Sequence, residues 1–152
     1  MLTIEKVFLL KSIEMFQSTP ENNLIAVAEI LEEVFVESGQ TLFRKGDNAD
    51  SMYIIHSGEI RIHDGDHVFA VMKGKEFFGE LSLLDAETRS ATASANKDTF
   101  LFKINQGPFY ELMSNNQEVT RSIIKTLCTR LRQQNKINFE LKGQLKQVGQ
   151  AS

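Results

Sequence analysis

The residues with the most chemistry in this chain stand close together, between Phe77 and Thr92. Gly79 is followed at once by Glu80, then by Leu81-Ser82-Leu83-Leu84, and Arg89-Ser90-Ala91 arrives ten residues after the glycine. A glycine that ends a strand lets backbone approach a ligand closely. Leu81 to Leu84 can close one short helical turn, whose first N–H groups find no partner inside the turn and would face an anion. Arg89 brings a planar fork of donors that matches phosphate. Ser90 and Ala91 are small, so their backbone N–H groups stay accessible. Glu80 plays a different part. A carboxylate only accepts hydrogen bonds, and beside a phosphate it is repelled, but it can grip a pair of sugar hydroxyls. An anion cradle next to a hydroxyl acceptor is chemistry for a sugar phosphate or a nucleotide.

The same residues have plainer readings. Gly79 would also suit a barrel corner. Arg89 would also pair at the surface with Asp85 or Glu87, which precede it in an acidic loop. Glu80 would serve as a turn residue, and Ser82 reads more as a small packing residue than as a ligand. His56, His63 and His67 invite a metal reading, since two of them flank Asp64-Gly65-Asp66, but a polar hairpin tip explains them better. A metal barrel would want ligands on several strands, and none can be assembled, so no metal site is expected. Gly79-Glu80-Leu81-Ser82 lacks the spacing of a nucleophile elbow. No catalytic residue is assigned, and the chain is expected not to be an enzyme.

The elements that must position this stretch change period twice along the chain. Residues 1–33 read as helical. Ile4, Val7, Phe8 and Lys11 fall at helical spacing, with Leu10 and Ile13 continuing the apolar face. Thr19 can cap a second helix and Pro20 suits its first position, with Leu24, Val27, Ala28 and Leu31 as its buried stripe. Residues 34–105 then break into short runs with turn residues between them. Val34–Val36, Thr41–Phe43, Met52–Ile55, Glu59–His63, His67–Val71 and Thr99–Ile104 read as strands, and Asp64-Gly65 joins two of them in a hairpin. From Pro108 the pattern is helical again, with Phe109, Leu112 and Met113 on one face. Ile124, Leu127, Leu131, Gln134, Asn138, Leu141, Leu145 and Val148 follow on alternating steps of three and four, a heptad seam with two polar members. Gly143 is expected to fray this last helix. The fold class is mainly β with flanking helices. It is a single domain over 1–152 built on a β-roll (a jelly-roll-like barrel) over 34–105, with N-terminal helices in 1–33 and C-terminal helices, including a lid helix, in 106–148.

At the stretch described first, the chain resembles the cyclic-nucleotide-binding domain family. That family includes the regulatory subunits of cAMP-dependent protein kinase, the cyclic-nucleotide-gated channels and the bacterial catabolite activator protein. Its phosphate-binding cassette is similar to residues 78–92, through Phe78-Gly79-Glu80-Leu81-Ser82-Leu83 and Arg89-Ser90-Ala91-Thr92. Gly39, Leu42, Phe43, Gly46, Asp47, Met52, Tyr53, Ile54, Ile55, Gly58 and Ile60 stand where the family has its early barrel residues. The resemblance implies that Glu80 binds a ribose 2′-hydroxyl and Arg89 the cyclic phosphate, with Ser90 on the phosphate or the base. Along the catabolite activator protein it continues through the long helix and puts the base-contacting pair at Gln134 and Asn135, though these also read as solvated or register-setting residues. The ligand it implies is cAMP or cGMP, with cAMP favoured. No other cofactor is expected.

Composition bounds the rest. The chain has 152 residues, 41 % of them hydrophobic and 24 % charged, which is enough for a core without staples. Cys128 is the only cysteine, so no internal disulfide can form, and a reducing, cytoplasmic setting is expected. Cys128 itself reads as core. Glu5, Lys6, Lys11 and Glu14 interrupt the N-terminal apolar residues, so no signal peptide or membrane insertion is expected. The net charge of −3 argues against nucleic acid as a partner, and the lysines and arginines between Lys125 and Lys146 read as a solvated helix face. The heptad seam is longer than one β-roll can cover, so a homodimer through the C-terminal helix is expected. The rival is a nucleotide-free β-roll that serves only as an interaction or dimerisation module.

Overall fold

The computed structural model describes residues 1–151. Its elements are α1 (Thr3–Lys11), a 3-10 turn (Glu14–Phe16), α2 (Glu21–Glu29), β1 (Glu32–Val36), β2 (Thr41–Phe43), β3 (Asn48–Ala49), β4 (Ser51–Ser57), β5 (Glu59–Asp64), β6 (His67–Lys73) and β7 (Phe77–Phe78). They continue with α3 (Glu80–Leu84), β8 (Glu87–Thr88), β9 (Thr92–Ala95), β10 (Thr99–Asn105), α4 (Gln106–Asn115) and α5 (Gln117–Ala151). One antiparallel sheet has the order β1-β10-β4-β7 and a second the order β2-β9-β5-β6, with β3 and β8 paired apart from both. This is the mainly β roll with flanking helices that the sequence pattern predicts.

Strand β4 shows why the roll forms. Its first five residues are all buried, and Met52 to Ile55 form a continuous apolar run rather than an alternating one. Met52 and Ile54 face a core shared with the helices, where Leu10, Phe16, Leu24, Leu83, Phe109 and Ile123 pack. Tyr53 and Ile55 point the other way, into the space between the sheets, and meet Val36, Ile60, Phe78, Ala93 and Leu101. The hairpin of β5 and β6 turns through Gly65 and Asp66, with Asp64 opposite His67. Gly65 takes φ +57°, a left-handed conformation that glycine reaches without strain.

Several elements depart from the sequence expectation. Strand β9 carries Ala93, Ser94 and Ala95, too small to give a strand signal, yet all three are buried in the middle of the second sheet. In α1 the buried residues are Leu9 and Leu10, while Ile4 and Phe8 are 61 % and 67 % exposed. This helix docks by its C-terminal turn: of the predicted face, Leu10 and Ile13 are buried and Val7 packs against the core, while Ile4 and Phe8 stay outside it. Thr19 does not cap α2. Pro20 stands at the cap position, its carbonyl takes the amides of Asn23 and Leu24, and the Thr19 hydroxyl is buried with no hydrogen-bond partner among the described residues. Gly143 does not fray α5, which runs on for 35 residues in all. A cost of about 1 kcal/mol at one residue is small against the cooperativity of so long a helix. Cys128 is exposed rather than in the core. The face of α5 that meets the core is Val119, Ser122, Ile123 and Thr126, with Leu127 at its edge, and Cys128 lies a hundred degrees or so beyond Leu127. Among the described residues, no helix is long and apolar enough to cross a membrane.

Candidate functional site

Two short pairings carry the cassette into place. Strand β7 pairs with β4, Phe78 opposite Tyr53, and this delivers Gly79 to the start of β4. Strand β8 pairs with β3, and the backbone of Arg89 is then pinned on both sides. Its N–H donates to the Asp47 carbonyl and its carbonyl accepts from the Gly46 N–H, each at 2.8 Å. Gly79 has φ +80°, and a Cβ there would stand 2.8 Å from Arg89 Nη1 and 3.2 Å from the Ser51 carbonyl oxygen. The position therefore needs glycine twice, for its backbone and for the space beside it.

Arg89 is only 6 % exposed. Its Nη2 donates to the Ser51 carbonyl at 2.9 Å and to the Ser51 hydroxyl at 3.2 Å. Its guanidinium carbon lies 4.1 Å from the Phe43 ring centre and 5.7 Å from that of Tyr53, over a cluster of Phe43, Tyr53 and Phe78. Ring faces hold a desolvated cation by their quadrupoles. Burial pulls the guanidinium below its ordinary pKa, and Tyr53, Asp50 and Asp47 act against that pull from a distance. Asp85 and Glu87 do not pair with it. Among the described residues Arg89 has no ion pair at all, and its Nη1 and Nε find no protein acceptor. A buried cation with spare donors is costly unless an opposite charge reaches it, so it can receive an anion.

Arg89 forms part of the wall of a cavity of about 310 Å³, within the range of small-ligand pockets. The cavity gathers Gly79, Glu80, Leu81 and Ser82 from one side and Arg89, Ser90 and Ala91 from the other. Ser82 and Leu83 give their N–H groups to the Gly79 carbonyl, which leaves those of Glu80 and Leu81 open at the start of α3. Phe43, Ile62 and Phe78 supply an apolar wall, and Asp85 and Glu87 line the rim. Gln134 and Asn135 are not among these residues. They are exposed on α5, outside the cavity, and Gln134 bonds instead to Asn138. The structure also places His63 in a hairpin role, its two ring nitrogens engaged by the Gly65 carbonyl and the Ser94 hydroxyl.

Three contributors escaped the sequence. Ser51 and Phe43 hold Arg89, yet nothing near them in the chain marks them for it. Arg130, on α5, donates from Nη1 to Glu80 Oε1 at 3.1 Å and from Nε to Glu14 Oε1 at 3.2 Å. Burial lowers the Arg130 pKa, but the hydrogen bond and charge of Glu14 and the charge of Glu80 outweigh it and raise the group overall. The cassette is also tied to α4, where Gln106 Nε2 donates to the Leu83 carbonyl at 3.1 Å and the Tyr110 hydroxyl to that of Leu84.

The family model for the cyclic nucleotide-binding domain matches residues 33–116, more than half of the chain. The chain belongs to that family. A cyclic nucleotide-gated potassium channel of Rhizobium etli is 31 % identical over 122 residues, which is 80 % of this chain and 34 % of the channel. The chain thus spans about a third of that relative's length. Among solved structures, the N-terminal domain of a Streptomyces coelicolor transcriptional regulator superposes with a TM-score of 0.79 at 27 % identity, over 84 % of this chain and 95 % of that one. The regulatory domain of Toxoplasma gondii PKA, crystallised with cAMP, gives 0.66 at 28 % identity, over 72 % of this chain and 44 % of that one. Within the family span the cavity described above is formed by β7, α3 and the stretch that leads from β8 into β9, with Phe43 of β2 and Ile62 of β5.

Proposed function

We propose that the chain binds a cyclic nucleotide reversibly, cAMP in preference to cGMP, as a cytoplasmic regulatory module without catalytic activity. The observation that carries this reading is Arg89, a buried cation with free donors in the wall of a nucleotide-sized cavity. The cyclic phosphate would take those donors together with the open N–H groups of Glu80, Leu81, Ser90 and Ala91. Glu80 Oε2, which has no donor among the described residues, would accept the ribose 2′-hydroxyl. The preference for cAMP is supported by the nucleotide crystallised with the Toxoplasma domain. Ser90 leaves room for cGMP.

The response would run through α3. Its C-terminal end is bonded to α4 and its first residue to α5, so a ligand that draws α3 inward also biases the C-terminal helices. Gln134 and Asn135 would reach the base only after such a closure, or from a second copy paired along α5. A homodimer through α5 fits the exposed Leu131, Leu141, Leu145 and Val148.

Thermal unfolding with each nucleotide tests the reading. At a ligand level near 100 times Kd the stabilisation should be about 2.7 kcal/mol, a midpoint rise of roughly 5–11 °C for this size. No shift with millimolar cAMP or cGMP would favour a nucleotide-free interaction module, in which the acidic rim at Asp85 and Glu87 keeps anions out.

A further inference from the structure

Glu80 does not stand alone in the cavity wall. Its Oε1 is taken by Arg130 Nη1, and the opposite edge of that guanidinium, Nε and Nη2, faces the two oxygens of Glu14 at 3.2 and 3.5 Å. The flat face lies 5.0 Å over the Phe77 ring. Glu14 belongs to the 3-10 turn near the N-terminus, and both it and Arg130 fall outside the span that the family model matches. A guanidinium is planar, and its two edges point in fixed directions. With one edge held by Glu14 and one face on Phe77, only Nη1 is left for Glu80, and it arrives in a set direction. The Arg130 charge also offsets the repulsion between Glu80 and an anion in the same cavity.

We propose that Glu14 is a positioning residue for sugar recognition: through Arg130 it fixes the Glu80 carboxylate so that Oε2 faces the ribose hydroxyl. The proposal rests on the cyclic-nucleotide reading above. It makes the N-terminal turn part of the binding energetics, although Glu14 does not line the cavity. The side chains of Arg130 and Glu14 are 33 % and 49 % exposed, so water screens the pair and the effect is modest.

The test is titration calorimetry on wild type, Glu14→Gln, Glu80→Gln and the double variant, each with cAMP and with 2′-deoxy-cAMP. Glu14→Gln should weaken cAMP about threefold, the range of a partly exposed ion pair. It should leave the 2′-deoxy ligand unchanged, and it should have no effect on cAMP once Glu80 is Gln. The cAMP effect should shrink at high salt. Glu14 is half in solvent, so loss of the fold is not expected, and the unfolding midpoint of each variant checks this. Equal weakening of both ligands would mean a general structural role and would overturn the proposal, as would no change in cAMP affinity. A wild type that binds neither ligand would instead remove the cyclic-nucleotide reading, and this proposal with it.

Discussion

At Arg89 the structure sets a cost against a use. Taking a guanidinium out of water is unfavourable, and one serine plus two ring faces compensate only part of it. What remains is donor capacity held in a fixed direction beside a cavity. Gly79 makes that possible by giving up a side chain where one would strike Nη1. Gly79→Ala should therefore destabilise the chain by about 1–2 kcal/mol, from the left-handed backbone together with the contact. It should weaken anion binding as well, because Arg89 must move. Urea unfolding gives the first number and nucleotide titration the second. A variant with wild-type stability would show that the backbone relaxes freely at this corner.

The elements were unequally legible in the sequence, and the reason differs from one to the next. Strands β5 and β10 announce themselves by alternation or by β-branched and aromatic residues, and the hairpin turn by its glycine. Strand β9 does not, since alanine and serine carry no strand preference. Its place is set by neighbours instead: it lies between β2 and β5, and Ala93 and Ala95 are fully buried in the inter-sheet core. Ala95→Leu should therefore overpack the inter-sheet core and cost about 1–3 kcal/mol in a denaturant titration. If the cost is near zero, β9 does not lie against that core. The cassette was readable because glycine, glutamate, arginine and the small residues after it lie within one short stretch of chain. Ser51, Phe43, Arg130 and Glu14 join it only through strand pairing and the docking of α5, so no local pattern could have reported them. The heptad spacing of α5 was visible too. What spacing could not show was where the core-facing stripe ends and the exposed one begins.

Over the whole molecule, the two ends of α5 live in different surroundings. Val119, Ser122, Ile123 and Thr126 are buried against the helical core, while every residue from Leu131 to Gly149 is exposed. A helix of 35 residues is about 50 Å long, more than the roll beside it can cover. Leu131, Ile137, Leu141, Leu145 and Val148 are more than half or nearly half exposed on that outer part, and we propose a second α5, of matching length and pattern, as their cover. Sedimentation at tens of micromolar should show a dimer, and Leu141→Asp with Leu145→Asp should return it to a monomer. A monomeric wild type would end this reading, and a dimer that survives both substitutions would put the interface elsewhere. The central claim, however, concerns one chain and one cavity, and calorimetric titration of cAMP into wild type and Arg89→Leu tests it most directly. The account predicts saturable binding with one site per chain in the wild type. It also predicts that Arg89→Leu loses at least about thirtyfold in affinity, because truncating a buried charged partner costs ~2 kcal/mol or more. Equal affinity in the two proteins, or no saturable binding to the wild type at millimolar nucleotide, would contradict it.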